Sequence, residues 1–552
     1  MNKKTEGRKS MMRWLSGVLL LVQVLTACSP ASQSSPAAQV TLGSTAQTSG
    51  SQHEIVLAPG WDVGLREGFD PTLGWNYYGT PLFQSTLLRR DENLKLTNDL
   101  AQSYTVSNDR KVWTVKIRSD ARFSDGEPLT AADVVFTFNQ AKRNAGLVDL
   151  TVLDWAIATG KYSVELRLKY PQITFINRLV TLGIVPEHAY NENYARHPIG
   201  SGPYKFVQWD ESQQLIVEAN PYYYGKQPNI KRLVILFIQG DGVFAAARAS
   251  RVQLANVPQS LAVQHLEGME LYALNSKSHT CLMFPYIPDT GRKTPQGDLI
   301  GNNVTAERAI RQAINYAIDR KALVEGILEG YGSPAYGPAS GLPWEESMAA
   351  IEDADPNKAK QILIEAGWRD TDGDGIMDKH GLKAEFWLLY PAEDRIRQGL
   401  ALAVAQMLKV VGIQAHVEGK SWDNIERRMH SNVVLYGLST YDQQQLDFLY
   451  DSSAARGSYA NPGYYANPAV DRALDRARGA ASEAEAIAFW KKVQWDGQTG
   501  VTTKGDAASA WLVNLDATYF VSNCLDIGRP LQSHSYHGQL LNNLPDWKWV
   551  CD

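Results

Sequence analysis

Residues 197–228 read HPIGSGPYKFVQWDESQQLIVEANPYYYGKQP. A glycine-bracketed turn, Ser201-Gly202-Pro203-Tyr204, opens into Lys205-Phe206-Val207-Gln208-Trp209. A second run, Gln214-Leu215-Ile216-Val217-Glu218, closes on Asn-Pro-Tyr-Tyr-Tyr-Gly-Lys-Gln-Pro. Period-2 alternation bounded by Gly, Pro and Asn predicts two paired strands followed by an aromatic turn.

The same logic extends outward. In residues 108–140, Trp113, Val115 and Ile117 alternate on one strand face, Ser124-Asp125-Gly126 makes a turn, and Thr130 with Asp133 has capping-box spacing, which predicts strand, turn and capped helix. In residues 305–330, Ile310, Ala313, Ile314, Ala317 and Ile318 recur at the spacing of an amphipathic helix. Ile396, Leu400, Val404, Met407, Leu408 and Val411 form another apolar helix face, stopped by Gly412 before the alternating Ile413–Val417. Further strands are expected at Glu54–Ala58, 162–168, 183–186, 231–238 and 382–389, and helices at 81–88, 243–251 and 356–367. Gly330 and Gly332 do not form a phosphate loop, because Pro334 stands where a helix would begin.

A chain of 552 residues is too long for one core, so two or three domains are expected. The N-terminus joins a basic region to an apolar run from Trp14 to Leu25 and then Leu25-Thr26-Ala27-Cys28. That run is short for a membrane span and has the layout of a secretory signal over residues 1–27. Lys3, Lys4, Arg8, Lys9 and Arg13 against Glu6 make this leader basic, so the chain beyond it is more acidic than the overall −5. An acidic chain with no basic run argues against nucleic acid as a partner. Residues 28–53 are rich in Ser, Ala, Gln and Thr and lack aromatics, so they read as a flexible tether. Cys281, Cys524 and Cys551 remain for the folded body; one disulfide and one thiol are expected, with Cys524–Cys551 the preferred pair.

Two segments have the spacing of metal ligands. Asp370, Asp372, Asp374 and Asp378 occupy positions 1, 3, 5 and 9 of a calcium-type loop with Gly375 at position 6, but Gly381 replaces the bidentate Glu at position 12, and a plain polar turn is the competing reading. His534 and His537 have no Cys or carboxylate beside them and read as a loop pair.

Five of these blocks, spread over residues 54–520 and in the same order, resemble the extracytoplasmic solute-binding proteins of ABC importers, the peptide/nickel-binding family 5. They are the opening stretch; residues 108–140 with Pro-Leu-Thr-Ala-x-Asp-Val; Arg311-Gln-Ala-Ile-Asn-Tyr-Ala-Ile-Asp-Arg320; the helix-Gly412-Ile413-strand unit; and residues 433–451. The end of the leader resembles a lipobox, which implies lipidation of Cys28. The resemblance implies an α/β, two-lobed periplasmic-binding-protein-like fold of type II, cluster C, with three domains. Domain I, the main lobe, would be discontinuous over residues 54–90, 199–290 and 505–552. Domain II, 91–198, would be inserted in it, and domain III, 291–504, would form the second lobe.

It also implies a monomeric, membrane-anchored binding component rather than an enzyme. Such a protein captures a short peptide by lobe closure and hands it to permease subunits. A nickel or other metal chelate is the alternative solute. No cofactor is implied, beyond the structural calcium that the 370–378 loop would hold. A secreted hydrolase is the competing class, but neither Gly-x-Ser-x-Gly nor His-Glu-x-x-His occurs. The cleft residues implied are Trp75, Asn76, Tyr77 and Tyr78 in an early aromatic loop, and Tyr436, Gly437, Tyr441 and Asp442 at a strand end, with Asp442 meeting a ligand ammonium. Leu438 stands where the family has Trp, and no Pro follows Asp442.

Overall fold

A computed structural model describes residues 54–60, 68–75, 82–91, 93–145, 148–438, 441–455, 459–529 and 539–551. Its frame is an 11-stranded mixed sheet. From one edge the strands run Gln414–Lys420, Glu385–Pro391, Val433–Leu438, Met269–Met283, Ser509–Ser522, Leu254–Asn256, Glu54–Ala58, Arg232–Leu236, Gln214–Ala219 and Tyr204–Asp210, and Gly332–Pro334 pairs with Ser509–Ser522 off this path. Two members are far longer than the rest, Met269–Met283 and Ser509–Ser522, and they pair antiparallel. One end of this pair is buried with Ile55, Leu233 and Trp547 through Ala517, Tyr519 and Val521. The other end is buried through Leu282, Leu512 and Val513 on one face and Cys281, Met283 and Trp511 on the opposite face. The same two strands therefore serve two sets of cores, and their ladder is interrupted between Leu274 and Ser278, where the chain passes from one set to the other.

A second sheet of four strands, Ala101–Val106, Val112–Ile117, Ser163–Leu168 and Leu153–Gly160, packs with the helix Ala131–Asn144 around its own core, which runs from Leu87 to Ile184. Trp113, Val115 and Ile117 face that core as their alternation requires. The capping box at the helix start is formed, Thr130 N–H donating to Asp133 Oδ2 at 2.8 Å.

The opening stretch is an antiparallel hairpin with Tyr204 opposite Ala219, and it forms the edge of the main sheet. The glycines before it permit a close backbone approach: a Cβ on Gly200 would lie 2.1 Å from the Phe83 carbonyl oxygen, and Gly202 N–H donates to that oxygen at 2.6 Å. This contact also corrects the helix expected over 81–88. Residues 82–87 are not helical, and a short strand Leu88–Arg90 follows. Phe83 and Ser85 carbonyls are committed to Gly202 and Ile184 N–H groups, so they are not available to an i→i+4 ladder. Residues 183–186 are buried but form no strand; Ile184 and Val185 N–H groups go to Ser85 O and Thr137 Oγ1.

Arg311, in the first turn of the amphipathic helix Arg308–Ala317, and Arg320, three positions past its end, are almost fully buried. Arg311 donates to the carbonyls of Thr305, Ala306, Asp506 and Ala507. Arg320 donates to Ala335 O and Trp511 O and pairs with Asp353 at 2.9 Å. The motif thus ties helix ends to the start of a crossing strand.

Cys524 and Cys551, which are 27 positions apart in sequence, are joined, and Cys281 is a buried thiol. The bridge holds a tail whose Leu540, Leu544 and Trp547 are buried in the main core. Cys551→Ser is expected to cost about 2–4 kcal/mol, because an open tail regains chain entropy on unfolding. Thermal unfolding with and without reductant checks it: the wild type should fall to the variant's Tm and the variant should not move.

Candidate functional site

The predicted strand Val433–Leu438 lies beside Met269–Met283, pairing His279 with Leu438, Thr280 with Gly437 and Cys281 with Tyr436. Its apolar start is buried in two cores, and Gly437 and Leu438 at its end are partly exposed. Tyr436 is buried and stacks on Tyr459, ring centroids 6.4 Å apart. At Gly437 a Cβ would sit 2.7 Å from Arg397 Nη2, so a larger residue would displace the guanidinium that lies against this strand. Arg397 is held by Asp394 at 3.1 Å and faces the Trp422 ring.

Tyr441 is half-buried between Trp344, edge-on at 5.0 Å, and the Arg90 guanidinium, 4.5 Å from its ring centroid. Asp442 is 7% exposed. Its Oδ2 accepts from Arg178 Nη2 at 2.9 Å, and its Oδ1 accepts from Asn177 Nδ2 at 2.9 Å and from Gln444 N–H at 3.0 Å. Asn177 also donates to Gln443 Oε1, and Gln444 Nε2 donates to Asp149. A seam of charge-assisted bonds therefore joins the four-stranded-sheet body to the strand end. Two donors already occupy the Oδ1 lone pairs, while among the described residues Oδ2 has one, so the carboxylate retains one direction for a further donor.

Of the early aromatic loop, Trp75 packs edge-on against Phe69 at 4.9 Å inside the main core. Asn76, Tyr77 and Tyr78 lie outside the described residues, as do Cys28, His534 and His537. Asp370, Asp372 and Asp374 converge, their ligand atoms within 4.8 Å of one another. Asp378 is turned away and accepts from Thr371, while the Lys383 ammonium reaches Asp372 at 2.9 Å and also Asp374. Lysine supplies a positive charge to the loop in this conformation.

Sequence reasoning did not pick out Asn177, Arg178, Arg90 or His279. A signal existed for the first two: they are a polar pair inside the apolar run Phe175-Ile176-Asn177-Arg178-Leu179-Val180, and a charged residue in such a run needs a buried partner. His279 has no such signature. It is 1% exposed, its Nδ1 faces Asn514 Oδ1, its ring meets Trp511 edge-on, and its Nε2 has no hydrogen-bond partner among the described residues.

Burial, with a smaller contribution from Lys277, lowers the His279 pKa to about 4 from an ordinary 6.5. The folded chain thus refuses a proton that the unfolded chain accepts. The stability this group contributes is complete above pH 6.5 and is lost as pH falls towards 4. His279→Gln should remove that dependence. The stability difference between wild type and variant should shift by up to about 3 kcal/mol between pH 7 and pH 4 in urea titrations, and parallel curves would show that His279 does not titrate in this way.

Residues 95–472 match the model of the bacterial extracellular solute-binding proteins, family 5. Over 473 residues the chain is 33% identical to protein XP55 of Streptomyces lividans, covering 83% of each chain. It is 29% identical over 505 residues to the oligopeptide-binding protein AppA of Bacillus subtilis, covering 85% of this chain and 88% of that one. Among solved structures, NikZ from Campylobacter jejuni in complex with Ni(L-His) superposes with a TM-score of 0.76 at 22% identity, over 90% of this chain and 99% of that one. AppA from Bacillus subtilis with a bound nonapeptide superposes with a TM-score of 0.71 at 24% identity, over 91% and 99%.

Proposed function

Since the chain belongs to the bacterial extracellular solute-binding proteins of family 5, we propose that its solute is a short peptide, captured between lobes that close about the crossing strands. The observation that carries the peptide reading is the likeness, along most of both chains, to an oligopeptide-binding relative. The strand end supports it. Main-chain groups of the strand Val433–Leu438 can pair with an extended peptide, and the remaining direction on Asp442 suits an α-ammonium.

On this reading the protein is tethered through lipidated Cys28 and residues 28–53, acts as a monomer, passes its solute unchanged to permease subunits, and performs no chemistry. Among the described residues no helix is long and apolar enough to cross a membrane, so the lipid would supply the anchorage.

Native mass spectrometry of the purified chain, followed by calorimetric titration with a defined peptide mixture, tests the reading. Peptides released on denaturation and saturable peptide binding are expected. A retained metal chelate with no peptide binding would replace the peptide reading by the chelate one, and cleavage of the mixture would overturn both.

A further inference from the structure

Beyond the seam at Asp442 lies a cavity of about 670 Å³ that the peptide reading does not use. One wall is the four-stranded sheet, which contributes Tyr104 and Trp113, stacked with an interplanar angle of 21°. The opposite wall is the segment from Ala480 to Trp490 at the start of the helix Glu483–Gln494. Trp113 and Trp490 are 5% and 2% exposed, and neither indole N–H has an acceptor among the described residues. Both nitrogens are themselves enclosed, so what these two residues turn to the cavity is ring surface. Arg90 and Arg110 also line the cavity; Glu483, which is exposed, is the one carboxylate among the described lining residues. The lining therefore offers flat apolar surface and more positive charge than negative.

We propose that this cavity is an accessory binding site for a small aromatic carboxylate. Its ring would lie among the aromatic walls, while its carboxylate would meet the arginine charge. Asn177 and Gln443 belong both to the cavity lining and to the Asp442 seam. An occupant touches both bodies that the seam joins, and so favours the joined arrangement. The proposal concerns a site separate from the Gly437–Asp442 strand end and stands whichever solute binds there.

Indole-3-acetate is the probe, titrated by calorimetry into the full chain. Saturable one-to-one binding with a Kd below ~1 mM is expected for a site of this size. Arg110 binds the Gly479 carbonyl from the cavity rim, and Arg110→Ala should weaken binding at least about fivefold by removing a charge-assisted partner. Glu483→Gln, at an exposed position where folding is not at risk, should tighten it by roughly twofold by removing a repulsive charge. The opposite signs of these two variants separate a site effect from general destabilisation. Absence of saturable binding up to 10 mM ligand, an order-of-magnitude ceiling on the ~1 mM scale, or binding that both variants leave unchanged, would overturn the proposal.

Discussion

Arg320→Ala should cost the folded chain about 3–5 kcal/mol, a large share of the stability of an ordinary domain. The guanidinium is 1% exposed and its burial lowers its pKa, a cost the fold meets by surrounding it with acceptors. It donates to Ala335 O at 3.0 Å, Trp511 O at 2.7 Å, Asn315 O at 3.0 Å, Asn315 Oδ1 at 2.9 Å and Asp353 Oδ2 at 2.9 Å. Removing the side chain strands these buried carbonyls and leaves the partly exposed Asp353 carboxylate without its guanidinium, and a buried acceptor without a donor carries its full desolvation cost. Lysine should recover little, because an ammonium cannot reproduce a planar fork of five donors. Urea unfolding should show a lower midpoint for both variants with the slope unchanged. A loss below about 1 kcal/mol would mean that the carbonyls find other donors, and that the arginine is not what fastens the crossing strand.

The pair Arg178–Asp442 should give the second large effect, in binding as well as stability. Both side chains are nearly excluded from solvent, 2% and 9% exposed, and they come from segments 264 positions apart. Removing one takes a buried charged partner from the other, so Arg178→Met or Asp442→Leu alone should each destabilise by about 3–5 kcal/mol, whereas the double variant should recover most of that loss. Peptide affinity separates two roles for Asp442. Asp442→Ala should weaken binding more than tenfold if the remaining Oδ2 direction receives the ligand ammonium, and the Arg178→Met/Asp442→Leu double variant should stay weak although its stability returns. Affinity restored along with stability would assign Asp442 to the seam alone. Calorimetric titration beside urea unfolding on the wild type and these variants reads both quantities.

The elements most legible in the sequence are those fixed by local chemistry. The hairpin at 204–219, the capping box at Thr130, the helix face Ile310–Ala317 and the Cys524–Cys551 pair depend on periodicity, a side chain three positions away, or a scarce residue type. Their order along the chain pointed to family 5. The helix expected over 81–88 failed for the opposite reason: its residues suit a helix, but Gly202 and Ile184 claim its carbonyls from 99 or more positions away.

At the candidate site the division is the same. The sequence by itself determined that a strand would end at Tyr436-Gly437 and be followed by Tyr441 and Asp442, because an apolar run giving way to polar residues is a local pattern. Only the tertiary structure decided what those side chains meet. It placed Arg178 on Asp442, Arg90 on Tyr441 and Trp75 in the core, since the partners of a buried charge or ring are set by which distant segments pack together and not by the residues beside it.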